Sequence, residues 1–202
     1  MATTRARRTS RGPKAVLLLV DFMNPLDFDG AEKLAPKAVA AARKALALKR
    51  RCRAARIPVI YANDNFGRWQ SQFAEVVRSC AERGGASAQL AELLAPEDGD
   101  LSILKPRHSA FYGTPLEFLL EALGARCLIL TGLAAESCVL FTACDAFLRE
   151  YPVWVPPDCV ASETDAATKR ALAQIEATAK VFVGASRLPI ATGVARAIAR
   201  HA

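Results

Sequence analysis

Short apolar runs of β type alternate along this chain with longer stretches of helical periodicity, and that alternation limits its fold more than any other feature. The first run, AVLLLVD from Ala15 to Asp21, precedes a stretch rich in Ala, Lys and Arg that reads as a helix over about Pro36 to Ala55. IPVIYAND (Ile57 to Asp64) is the second run. A helical pattern follows from Trp69 through Arg83, then a break at Gly84 and Gly85, then a shorter pattern through Leu90 to Leu94. LSILK (Leu101 to Lys105) is the third run, RCLILTG (Arg126 to Gly132) the fourth, PVWVP the fifth and KVFVG the sixth. The segment TPLEFLLEALG carries a full helix signature, with Thr114 as N-cap, Pro115 at the first helical position, Glu117 closing a capping box and Gly124 at the end. Further helices are expected over about Glu136 to Arg149, Asp165 to Thr178 and Thr192 to Arg200. Six strands with helices between them imply an α/β fold whose parallel sheet is covered on both faces.

A chain of 202 residues fits one such domain, with a core large enough to fold without disulfides or a structural metal. The formal charge of +7 raises the question of a nucleic-acid partner, and its distribution answers it. Arg5, Arg7, Arg8, Arg11 and Lys14 crowd the first fourteen positions with no acid among them, so the rest of the chain is close to neutral. We expect residues 1–13 to be a basic disordered tail, residues 14–202 to be the domain, and no nucleic-acid partner. The six cysteines show no Cys-x-x-Cys spacing and several lie in apolar stretches, as buried free thiols do. With only His108 and His201 as histidines, no metal site and no cofactor are expected. AVLLLV is too short for a secretory signal and no stretch approaches a membrane span, so a cytoplasmic protein with no membrane partner is expected.

In open α/β sheets, ligands bind outside the carboxyl ends of the strands, which makes the polar residue that stops each apolar run the one to inspect. Asp21 stops the first, Lys105 the third, and Cys138 follows the fourth near the start of the next helix. Each alone has a structural explanation: a turn cap, a solvated lysine before a proline, a buried filler on an apolar helix face. Together they fall on one edge of the sheet, where a thiolate favoured by a helix N-terminus and a lysine ammonium can attack a carbonyl carbon. A neighbouring carboxylate can take the thiol proton and hand it to a leaving nitrogen, which is the part open to Asp21. Backbone N–H groups of the loop GLAAESC can stabilise the oxyanion.

The stretches LLLVDFMNPL, ILKPRHSAFYGTPLEFLLEALG, LILTGLAAESCVLFTACDAF and YPVWVPPDCVAS resemble those of the isochorismatase-like cysteine hydrolases, in the same order over roughly residues 14 to 178. The resemblance implies a three-layer αβα sandwich around a six-stranded parallel sheet, in a homo-oligomer. It implies a triad of Asp21, Lys105 and Cys138, a cis peptide between Leu133 and Ala134, and an oxyanion hole formed by the N–H groups of Ala134 and Cys138. Nicotinamidases of this family hold a divalent metal with a carboxylate and histidines after strand two; here NDNFGRWQSQF supplies Asp64 and no histidine. Isochorismatases proper split a vinyl ether without needing the cysteine, whereas Cys138 is present here.

Asn65, Phe66, Trp69, Phe111 and Tyr112 also lie at this edge, as candidates for lining a pocket or for packing its loops. Ser109, Thr114 and Asp158 read as loop, cap and structural residues. The expected function is a cysteine-nucleophile hydrolase that cleaves a C–N bond of a small amide, ureido or carbamoyl substrate through a thioester. The alternatives are a vinyl-ether hydrolase of isochorismatase type and a catalytically silent binding protein of the same fold.

Overall fold

Every residue of Ala15–Val20 (β1) is buried, and its side chains divide by parity between two cores. Leu17 and Leu19 point to one face of the sheet, Val16, Leu18 and Val20 to the other, the period-2 alternation of a strand covered on both sides. The computed structural model describes residues 14–69 and 71–202; the basic tail read at 1–13 lies outside them.

Five further strands extend β1 into a path ordered β3-β2-β1-β4-β5-β7, built of Leu101–Lys105 (β3), Val59–Asp64 (β2), Cys127–Leu133 (β4), Val153–Val155 (β5) and Phe182–Val183 (β7). Every pairing is parallel. A seventh strand, Val160–Ala161 (β6), stands off this path and pairs with the end of β4, Gly132 opposite Val160 and Leu133 opposite Ala161. Among the described residues the sheet therefore has seven strands where the apolar runs give six. A two-residue strand falls below the length at which periodicity is visible.

The first core is closed by Ala31–Ala54 (α1), Phe73–Arg83 (α2), Gly85–Leu93 (α3) and Ile190–His201 (α7). The second is closed by Leu116–Leu123 (α4), Leu140–Leu148 (α5) and Asp165–Thr178 (α6), which completes an αβα sandwich. Several helix ends depart from the sequence reading. α1 starts five residues before Pro36, because Ala31 and Leu34 continue the buried stripe of Ala38, Ala41, Ala42, Ala45 and Leu48. That stripe outweighs the single backbone hydrogen bond a proline removes. α2 begins at Phe73, not Trp69, and Glu75 closes a capping box there with Gln72. α4 starts at Leu116 with Pro115 in the cap position and no side-chain capping box. Thr114 Oγ1 instead donates to the carbonyl of Ala110 at 2.6 Å while accepting the N–H of Leu116 at 3.2 Å, so it ties the preceding loop to the helix. Gly124 ends α4 in the left-handed conformation, as read.

The strand order reverses direction between β1 and β4, the switch point at whose carboxyl ends open α/β sheets bind ligands. At that point β1 and β4 approach so closely that a Cβ on Gly132, whose φ is 142°, would lie 2.3 Å from the carbonyl oxygen of Val20. No residue other than glycine fits.

Candidate active site

Asp21 follows β1 directly, with a φ of 51° that turns the chain at the strand end. Aspartate tolerates that left-handed conformation better than most residues. Its N–H donates to the carbonyl of Ala62 at 3.1 Å, and its Oδ1 accepts the N–H of Asp64 at 2.6 Å, so the end of β2 fixes the carboxylate. Asn63 adds a clamp to the same turn, accepting the N–H of Met23 at 3.1 Å and donating to its carbonyl at 2.9 Å.

Lys105, the last residue of β3, is 0% exposed and sits opposite Asp64 in the sheet register. Its Nζ lies 2.7 Å from Asp21 Oδ2, 3.6 Å from Asp64 Oδ2 and 3.5 Å from Cys138 Sγ, and it donates to the carbonyl of Arg107 at 3.1 Å. A buried ammonium with this many acceptors is held in one place and kept charged. Burial alone would lower its pKa, but the Asp21 carboxylate above all, together with Asp64, raises it above the ordinary lysine value.

Cys138 lies within a π-type turn, Ala135–Val139, between β4 and α5. The N–H of Val139 reaches back to the carbonyl of Ala134 at 3.2 Å, and the N–H of Ser137 reaches the same oxygen at 3.1 Å. Wide turns of this kind recur at functional sites because they displace one residue from the helical stack. Glu136 accepts a hydrogen bond from Ser162 next to β6, so the extra strand braces the turn from below. The peptide joining Leu133 to Ala134 is cis.

The electrostatics of the thiol differ from the expectation that a helix N-terminus and a lysine favour the anion. Burial, then the negative charge of Asp21, push the Cys138 thiol up to about 12, with Lys105 acting against them. Burial also raises the Asp21 carboxyl above the usual carboxylate range, against the pull of Lys105. The direct interaction of these two groups favours a protonated thiol beside an ionised carboxylate. These shifts favour a protonated thiol beside the Asp21 carboxyl and the Lys105 ammonium.

The structure brings Asp21, Lys105 and Cys138 together and adds three neighbours that the sequence reading did not assign to them. Asp64 reaches Lys105. His108 Nδ1 lies 3.7 Å from Cys138 Sγ and 3.1 Å from Ser137 Oγ. The signal for His108 was its place three residues after Lys105, but a histidine without a metal partner in sequence has no distinguishing pattern. Of the aromatic candidates, Phe66 borders a cavity of about 310 Å³ with Asn65, Arg68 and Glu75. Asn65 spends its Oδ1 on the N–H of Gly67. Trp69 is 81% exposed and Tyr112 is exposed as well. Phe111 turns away into the second core, under the guanidinium of Arg149 and beside Tyr151, because its aromatic face is covered there.

The model of the isochorismatase domain matches residues 15–185. The chain belongs to the isochorismatase family of hydrolases. It is 41% identical over 167 residues to the isochorismatase family protein YaaI of Bacillus subtilis (strain 168), covering 83% of this chain and 91% of that one. A stretch of 69 residues is 48% identical to the ureidoacrylate amidohydrolase RutB of Enterobacter sp. (strain 638), spanning 34% of this chain and 30% of RutB. Among solved structures, N-carbamoylsarcosine amidase from Thermoplasma acidophilum superposes with a TM-score of 0.68 at 26% identity, covering 87% of this chain and 98% of that chain. The nicotinamidase SaPncA of Staphylococcus aureus gives a TM-score of 0.66 at 21% identity, covering 85% and 97%, a likeness of fold.

Within this isochorismatase-family fold, the segment after β2 lacks the donors for the divalent metal of nicotinamidases. Asp64 Oδ1 accepts the N–H of Phe66 at 2.6 Å, its Oδ2 faces Lys105, and no group of three His, Cys, Asp or Glu side chains among the described residues could hold a metal ion. These residues do not fit a metal. Nor is any helix among the described residues long and apolar enough to cross a membrane.

Proposed function

We propose that this chain is a cysteine-nucleophile amidohydrolase that cleaves a C–N bond of a small amide, ureido or carbamoyl compound, with Asp21, Lys105 and Cys138 as its reacting groups. The observation that carries this reading is the position of Lys105 Nζ, 2.7 Å from the Asp21 carboxylate and 3.5 Å from the Cys138 sulfur. The likeness to RutB and to N-carbamoylsarcosine amidase, both named for C–N hydrolysis, supports the substrate class.

The chemistry follows from the resting protonation state. Because the thiol is neutral, attack requires Asp21 to take its proton as sulfur approaches the carbonyl carbon. Lys105 steadies the negative charge passing between sulfur and carboxylate. The N–H groups of Ala134 and Cys138 would receive the oxyanion. Asp21 then passes the proton to the leaving nitrogen, the C–N bond breaks, and the acyl or carbamoyl group remains on sulfur as a thioester until water removes it. The reading also includes a homo-oligomer, for which exposed Phe118 and Leu148 offer apolar surface.

The test is ammonia release from a panel of primary amides, ureas and N-carbamoyl amino acids, with isochorismate as the control. Turnover of at least one panel member, lost in Cys138→Ala, is the expected result. Turnover of isochorismate alone, unchanged in Cys138→Ala, would move the case to vinyl-ether hydrolysis.

A further inference from the structure

The triad accounts for forming a thioester, and the side chain on the open side of the sulfur is His108. This histidine follows β3 on a loop tied down at several points. Ala110 donates its N–H to Thr142 of α5 at 3.0 Å, Phe111 donates to Ser109 Oγ at 3.1 Å, and Lys105 holds the carbonyl of Arg107. The imidazole stacks on Phe141 with centroids 5.5 Å apart and planes 20° from parallel, which fixes the ring orientation. Nδ1 is thereby aimed at Ser137 Oγ and Cys138 Sγ, at 3.1 and 3.7 Å. Unlike Asp21 and Lys105, which are buried beneath the sulfur, His108 is exposed. Its exposed ring, 3.7 Å from the sulfur, is within reach of solvent, the source of the second substrate, water.

We propose that His108 is a further catalytic residue, the general base that delivers water to the thioester. This rests on the reading of Cys138 as the nucleophile. In the tautomer protonated at Nε2, Nδ1 is free to accept. A water molecule hydrogen-bonded to Nδ1 attacks the thioester carbonyl carbon and gives its proton to the ring as the C–O bond forms. When the tetrahedral intermediate collapses, the C–S bond breaks, the carboxylic or carbamic acid departs, and the imidazolium returns the proton to the leaving sulfur. The thiol is restored with nothing oxidised or reduced. Asp21 serves acylation from the buried side and His108 serves deacylation from the open side. Ser137, within hydrogen-bond distance of Nδ1, is a positioning residue for the ring in the resting state.

An activated ester separates the two steps without knowledge of the natural substrate. Protein is mixed with excess p-nitrophenyl acetate, nitrophenolate release is followed from the first turnover, and the acetylated protein is measured by intact mass. His108→Asn keeps a hydrogen-bonding group near Nδ1 but has no base. It should show a burst of one nitrophenolate per chain, accumulate the acetylated form, and turn over about 100-fold more slowly than the unaltered protein. An unchanged steady rate with no acetylated protein would overturn the role of His108, and so would loss of the burst itself, which would put the histidine before the thioester. Cys138→Ala controls the underlying reading: a burst that survives in it overturns the nucleophile assignment and the present proposal with it.

Discussion

At the scale of single residues, the decisive relation is between a thiol held protonated and the two charges beside it. Burial and Asp21 raise the Cys138 pKa while Lys105 lowers it, so the two charged neighbours should respond oppositely to mutation. Asp21→Asn removes a negative charge and should lower the thiol pKa, making alkylation by iodoacetamide faster at fixed pH. The same variant should lose turnover by at least about 100-fold, since a carboxamide cannot carry the proton. Lys105→Met should slow alkylation. In the unaltered protein, a thiol pKa of about 12 leaves little thiolate near neutrality. The alkylation rate should therefore climb about tenfold per pH unit from about pH 7 to about pH 9, and a plateau in that range would contradict the protonated resting state. Asp21, Lys105 and Cys138 were legible in sequence because each interrupts or follows an apolar strand at the sheet edge where ligands bind. Their protonation was not, because burial is a property of the packed molecule: the helix start and the lysine suggested a thiolate, and desolvation outweighs both.

At the scale of elements, α1, β2 and the loop before β3 are joined by a second buried lysine. Lys49 of α1 donates to Tyr61 of β2 and to the carbonyl of Ala95, each at 2.9 Å, and pairs with Asp100 at 2.8 Å and Glu97 at 2.9 Å. Removing one partner of a buried pair leaves an uncompensated charge. Lys49→Met should cost about 3 kcal/mol in denaturant unfolding, at the low end of the range because Arg53 still pairs with Asp100. A similar check applies to α7, where a Cβ on Gly193 would lie 2.5 Å from the ring of Trp154 in β5. Gly193→Ala should lower stability by about 1–3 kcal/mol through overpacking, although alanine is the better helix former. Strand runs and the long amphipathic helices were readable from local pattern. Helix starts were not. Pro36 and Thr114 are strong local signals that the buried stripe of α1 and the loop carrying His108 override.

At the scale of the whole molecule, buried weak acids set the alkaline limit of stability. Burial raises Cys52, Cys127, Cys138 and Cys159 to about 12, and Tyr61 likewise; Lys49 is also raised, since its partners outweigh its burial. A folded-state pKa above the unfolded one means that the native protein holds these protons more tightly. That contribution is complete below the unfolded values, about 8.5 for thiols and about 10 for tyrosine and lysine, and is lost as pH rises toward the folded ones. The thermal midpoint should fall steadily above about pH 9. A midpoint constant up to about pH 11 would contradict the burial of these groups. The parallel sheet and its two covered faces followed from six apolar runs alternating with helices. The order β3-β2-β1-β4-β5-β7 did not, because pairing joins residues far apart in sequence, as Ala15 with Cys127.

What unites these scales is that the fold carries Cys138 to the switch point of the sheet, where the proposed function makes it the covalent nucleophile. The most direct measurement compares turnover of Cys138→Ala with that of Cys144→Ala, six residues further on in α5, both checked for native unfolding midpoints. The account predicts activity below detection in the first and within about twofold of the unaltered protein in the second. Full activity in a folded Cys138→Ala would contradict it.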